Sequence, residues 1–271
     1  VLQRRALIAA LVPVALGAAG CSDGQVKLDD SKFDEDFGSV KSAVLVHDPK
    51  MDGDEYYVVL ANKSGVCKDL QEILPQQYVL EDDYQTAWED FNDVLFDWAN
   101  PNYMDAVTQA FYDLCEAQTA YLNGMVDLYD QFVAEGDHFV TVSFWNEDDY
   151  NIFPEDGVTY DIDADWDEDG FSFGLVYYFG NPYAPVLDAW DEDACKSLDV
   201  DQMSSAFDDV WDAMDEAQDF WNADGGTATV KVKSDTKILV EYSGDLQDME
   251  GNDAGPVEGD FKAKVCEIEY D

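Results

Sequence analysis

Positively charged side chains are scarce in this sequence. Its 271 residues carry 61 acids against 14 lysines and arginines and two histidines, a formal net charge of −47. Both arginines, Arg4 and Arg5, stand at the start, and no Lys or Arg occurs from Asp69 to Cys195, a run of 127 residues holding 31 acids. A chain this negative repels phosphate backbones and anionic headgroups, which excludes nucleic-acid binding and electrostatic docking on a membrane. Catalytic signatures are missing as well. There is no Gly-x-Ser-x-Gly elbow, no Gly-rich phosphate loop and no His-Glu-x-x-His pair. The two histidines, His47 and His138, lie 91 residues apart in strand-like stretches, where each reads as a strand-edge residue and not as a general base. Apolar residues are not lacking: at 46%, with 14% aromatics, they exclude a disordered acidic tail and supply a packed core.

Residues 1–20 form a unit of their own. Two arginines precede a stretch from Ala6 to Gly20 that is apolar apart from Pro13. Fifteen residues rising 1.5 Å each span about 22 Å, short of the ~30 Å hydrocarbon core, so the stretch reads as a secretory signal and not as a membrane-spanning helix. It ends in Leu16-Gly17-Ala18-Ala19-Gly20-Cys21. The small pair Ala19-Gly20 before Cys21 resembles the lipobox of bacterial lipoproteins, with Ala18 standing where leucine is usual. The resemblance implies cleavage before Cys21, acylation of its sulfur, and membrane attachment through lipid alone. Ser22 after the cysteine resembles the address of an outer-membrane lipoprotein, on either the periplasmic or the surface face.

Four further cysteines, Cys67, Cys115, Cys195 and Cys266, make an even number in an exported chain, and disulfides are the default expectation. Three pairings exist. The preferred one joins Cys67 to Cys115 and Cys195 to Cys266, each linking one segment to the next in order. A zinc site is disfavoured, because no two cysteines or histidines stand at ligand spacing.

The rest of the chain reads as an acidic flexible tether over 21–38 and a single α+β domain over 39–271, with a helical insertion at about 76–135. Residues 40–47 and 56–61 are strand-like runs joined by a turn, a β-hairpin. Tyr84, Trp88, Phe91, Leu95 and Trp98 repeat at helical spacing; after Asn100-Pro101, Met104, Val107, Phe111, Leu114, Tyr121, Met125 and Phe132 continue it. Two long helices with a short break predict an antiparallel helical hairpin. Alternation over 138–145, 158–166 and 171–179 predicts strands, the last two as partners across Asp167-Glu168-Asp169-Gly170. A third helix is expected from Asp201 to Trp221, stopped by Asp224-Gly225-Gly226, with final strands at 228–233, 238–242 and 260–270. The order β, helices, β, helix, β predicts an α+β fold, a mainly antiparallel sheet with the long hairpin and the third helix packed on it. The glycine-and-strand pattern from Gly226-Thr227-Ala228-Thr229-Val230 through Gly244 and Gly251 to Gly259–Cys266 resembles the endings of uncharacterised β-rich bacterial lipoproteins; that resemblance implies no activity.

One acidic stretch has a ligand-like spacing. Asp165-Trp166-Asp167-Glu168-Asp169-Gly170 resembles the opening of an EF-hand loop, but the twelfth position is Val176 instead of glutamate, and the flanking alternation predicts a hairpin turn. Alternation also sets Asp161, Asp163, Asp165 and Asp167 on one strand face about 7 Å apart. With Asp169 they form a candidate metal platform for weakly held Ca²⁺ or Na⁺. No other cofactor is implied.

The mature chain after the signal has 12 lysines against all 61 acids, a formal −49. Two exposed carboxylates 7 Å apart repel by about 0.6 kcal/mol in water. Over so many pairs the sum rivals a typical net stability of about 5–15 kcal/mol, and local cations are too few to relieve it. Dissolved cations must, and screening tightens from about 10 Å at 0.1 M salt to about 3 Å at 1 M. The sequence thus predicts a lipid-anchored, salt-adapted envelope protein, a non-enzymatic binding or structural module. The alternatives are a calcium-dependent adhesion or ligand-binding domain and a carboxylate-pair glycan hydrolase, which needs only two acids and aromatic platforms.

Overall fold

The computed structural model describes residues 24–28, 39–50, 55–97, 99–146, 150–162, 168–197, 202, 209–210, 212–214, 217–248 and 251–270. The chain divides into two compact units: 1–72, 136–177 and 219–271 in one, 73–135 and 178–218 in the other. The second unit contains the stretch expected as the helical insertion, about 76–135, together with a second segment, 178–218.

The first unit is a mostly antiparallel sheet whose described strands are β1 (Gly24–Leu28), β2 (Ser39–Val40), β3 (Ser42–Asp48), β4 (Glu55–Ala61), β5 (Asp137–Trp145), β6 (Thr159–Asp161), β7 (Gly170–Tyr178), β8 (Gln218–Ser234), β9 (Lys237–Asp248) and β10 (Asp253–Glu267). Their order is β2-β1-β10-β3-β4-β5-β7-β6-β8-β9, and a further pairing of β9 with β10 closes the ring from β10 round to β9. Closure follows from the length of β10. One of its edges pairs with β9 from Asp253 to Lys264, while the other takes β1 over Val257–Phe261 and then β3, in parallel, over Lys264–Glu267. The residues facing inward form one apolar cluster, including Leu45, Leu60, Val140, Phe144, Phe173 and Phe261. A ring of this strand number has an interior that side chains fill. Phe144 meets Tyr160 at 4.9 Å between centroids, and Phe173 meets Tyr242 at 5.2 Å. On β9 the pattern alternates between buried Ile238, Val240, Tyr242 and exposed Lys237, Glu241, Ser243, as a sheet with one wet face requires.

The second unit is helical. Helix α1 (Val66–Leu95) starts after Gly65, whose φ of +92° suits glycine and whose N–H donates to Ser42 Oγ. Residues of α1 through Glu72 cluster with the sheet strands and the remainder with the helices. Helix α2 (Tyr103–Tyr129) packs on α1: Leu80 lies against Gly124, Tyr84 against Tyr121, and Phe91 against Phe111. Numbers that rise along one helix fall along the other, so the two run antiparallel. A Cβ at Gly124 would sit 2.5 Å from Leu80 Cδ2, which is why glycine stands there. Two short helices follow, α3 (Tyr183–Ala189) and α4 (Glu192–Cys195), the latter capped by the Asp191 side chain on the Ala194 N–H.

Several expectations are corrected. The disulfides are Cys67–Cys266 and Cys115–Cys195, not the pairing of neighbours in sequence order. The last strand, β10, lies beside β3 and so returns to the start of α1. Within the stretch 21–38 expected as a tether, 24–28 forms a strand. It completes one edge of β10 and buries Val26, showing that a single apolar anchor suffices where a sheet edge supplies the hydrogen bonds. Strand β6 is not the hairpin partner of β7; it pairs antiparallel with β8 and meets β7 in parallel at Asp161 and Gly170. Of the third helix, the described residues at 202, 209–210, 212–214 and 217 are helical, but 218–221 belong to β8, with Trp221 opposite Asp248. Gly225 and Gly226 end no helix. They form a bulge in β8, and a Cβ at Gly226 would fall 2.2 Å from the Ser243 carbonyl oxygen. Helix α1 begins at Val66, well before Tyr84, and runs through Pro75.

Candidate functional site

The helical unit carries 24 carboxylates and one lysine, Lys196, while the unit of strands carries 37 carboxylates and 11 of the 12 lysines. The net charges are therefore similar, and what sets the helical unit apart is that it has almost no cation of its own. Helical spacing sets Asp83, Asp90 and Asp93 of α1 on one side of a groove of about 530 Å³, with Gln109 and Asp113 of α2 on the other. The Gln109 amide donates to Asp113 at 2.8 Å. Apolar Ala87, Val94, Ala106 and Ala110 complete the described lining, which is suited to hydrated cations.

A second acidic surface, of about 630 Å³, surrounds Trp190 with Asp188, Asp191, Asp193 and Asp209. Its base is tied down. The Trp190 indole N–H donates to Thr119 Oγ1, the Thr119 hydroxyl donates to Glu192, and Lys196 bridges Glu192 at 2.7 Å and Glu116 at 2.6 Å. Lys196, then Thr119, hold the Glu192 carboxyl below its usual range. The same two elements are joined by Cys115–Cys195. The one cation of the unit thus reinforces the disulfide and leaves the surrounding aspartates uncompensated.

Deeper in this unit lies a polar core. Gln77, Glu81 and Tyr84 share a face of α1, and the Gln77 amide donates to Glu81 at 2.8 Å. Burial raises the pKa of Glu81, and burial, followed by the Glu81 charge, raises that of Tyr121. Tyr129 and Tyr183, both 1% exposed, pack ring to ring at 4.6 Å.

In the unit of strands, both histidines are packed against aromatic rings. His47 Nδ1 meets Glu267 at 2.5 Å, its ring stacks on Tyr56, and Nε2 is enclosed. His138 is 6% exposed, held by Asn62 and Gly136 and packed at 4.4 Å on Tyr177. Beside it, Lys63 and Asp137 form a largely buried pair at 2.5 Å. Asp69, in the first turn of α1, is 1% exposed; burial raises its pKa to about 7 against the opposing pull of Lys63 and Lys68.

Of the residues singled out by sequence, Cys21, Asp163, Asp165 and Asp167 lie outside the described residues. Asp161 and Asp169 are exposed and linked through a backbone bond from the Asp161 N–H to the Asp169 carbonyl. Gly170 does not have the positive φ of a tight turn. It is a buried strand residue, and a Cβ there would fall 2.2 Å from the Trp145 indole. All four remaining cysteines are bridged. Among the described residues no cluster of three His, Cys, Asp or Glu stands at metal-binding spacing, and no helix is long and apolar enough to cross a membrane. The polar core was missed in the sequence, although Gln77, Glu81 and Tyr84 at i, i+4 and i+7 were its signal.

No protein-family model, no curated protein and no solved structure matches the chain.

Proposed function

We propose that the chain acts outside the cytoplasm as a lipid-anchored, salt-adapted module of the cell envelope that binds or scaffolds and catalyses nothing. Cys21 carries the lipid in this reading and attaches the chain to the outer membrane, with any protein or glycan partner left open. In this reading the two long helices form a hairpin with a third helix packed on it, and the acidic surface of these helices faces a saline medium. The single observation that carries the reading is the charge asymmetry: 24 carboxylates against Lys196 in one unit, with the lysine itself already engaged by Glu116 and Glu192. Self-repulsion of that size is offset by counter-ions and screening, which a saline exterior supplies. Enclosure of His47 Nε2, burial of His138 and bridging of the cysteines support a non-catalytic role.

The test is the melting temperature of the mature chain from 0.1 to 2 M NaCl. It should climb steeply with salt. A flat line contradicts the reading.

A further inference from the structure

The polar core of the helical unit has an electrostatic problem of its own, separate from the surface. Glu81 is partly buried, and no cationic side chain meets it among the described residues; Lys196, the unit's one lysine, is held by Glu116 and Glu192. Gln77 is 7% exposed and gives its amide N–H to Glu81, leaving its Oε1 enclosed without a hydrogen-bond partner. An enclosed carbonyl oxygen without a donor costs free energy, and an enclosed carboxylate without a counter-charge costs more. The surrounding groups add further oxygens. Tyr121 packs on Tyr84 at 5.6 Å and feels the Glu81 charge, and the Tyr183 hydroxyl, like the Gln77 carbonyl, is enclosed without a hydrogen-bond partner. Every polar group gathered here other than the Gln77 amide nitrogen is oxygen, the donor type that hard cations select. One carboxylate supplies a single negative charge, which matches a monovalent ion and falls short of what a divalent ion requires.

We propose that this core is a binding site for one alkali cation, held by the Gln77 Oε1 carbonyl, the Glu81 carboxylate and the hydroxyls of Tyr121 and Tyr183. The ion satisfies the orphan carbonyl and neutralises the buried charge together, and it couples α1 to α2 and α3 from within. This is specific ion binding. It differs from surface screening, which any salt provides at equal ionic strength.

The experiment compares melting temperatures of the mature protein in NaCl, KCl and N-methylglucamine chloride at one fixed ionic strength. The proposal expects a melting point higher by several degrees in NaCl or KCl than in the organic chloride. It also expects Glu81→Gln and Gln77→Met each to abolish that difference while both keep the common rise with ionic strength. Equal melting points in all three salts for the unsubstituted protein overturn the proposal and point to a protonated Glu81; this arm needs no variant to fold. A difference that survives in a folded Glu81→Gln variant overturns it equally. The slope against total ionic strength tests the surface reading separately, so either can fail alone.

Discussion

Cys67 and Cys266 are bonded across 199 residues of chain, which ties the first turn of α1 to the end of β10. In the chain-entropy account, closing a loop of that length stabilises by about 5 kcal/mol. Replacing both by alanine should lower the melting temperature by on the order of 10 °C. Peptide mapping without reductant should recover the 67–266 and 115–195 pairs; a 67–115 peptide would contradict the topology.

Gly170 gives way to the Trp145 indole, which in turn stacks on Tyr150. Gly170→Ala places a methyl group inside that rigid ring, and overpacking of this kind costs about 1–3 kcal/mol. Thermal unfolding should show the loss, with near-ultraviolet circular dichroism reporting a displaced tryptophan. A variant as stable as the parent would show that the indole is free to move.

Asp69 sets a pH dependence. Its folded pKa of about 7 lies above the ordinary value of 3.8, so the native state keeps a proton that the unfolded chain releases. Stability is therefore fullest below about pH 4, declines as pH rises toward 7, and is level above it. Asp69→Asn, which mimics the protonated carboxyl, should leave stability at pH 4 unchanged and raise it at pH 8 by on the order of 1–4 kcal/mol. Equal effects at both pH values would refute the assignment.

Lys196 joins Glu116 and Glu192 beside the Cys115–Cys195 bond. Lys196→Met removes the helical unit's one lysine. The drop in melting temperature should be larger in 0.1 M than in 2 M NaCl, because salt takes over part of the lysine's role. An equal drop in both would assign Lys196 a packing role alone.

Much of the fold was legible because apolar spacing is local. The β3–β4 hairpin, the span of β7 and the α1–α2 pair all follow from periods of two or 3.6 within one segment. The start of α1 was legible in principle, since Val66, Leu70, Ile73 and Leu74 form a helical stripe, but the expected insertion began only at about 76, just after Pro75. A proline tolerated inside a long helix leaves no mark in the pattern. Partner choice was not legible. Nothing near Cys266 announces that β10 returns beside β3, so proximity in sequence misled the disulfide pairing. Gly225-Gly226 carries the same letters at a helix end and at a strand bulge, and only the β9 backbone against it decides between them. The acidic surface of the second unit was plain from composition, whereas its buried core depended on which helix faces meet.

The central claim is that the helical unit, with one lysine for 24 carboxylates, depends on dissolved cations for its compactness more than the unit of strands, whose 37 carboxylates have 11 lysines among them. Hydrogen–deuterium exchange, resolved by peptide and compared in 20 mM and 1 M NaCl, tests it most directly. The account predicts that amides in 80–130 exchange much faster in dilute salt, while those of β4, β5 and β10 keep their protection. Equal protection of 80–130 at both salt concentrations would contradict it.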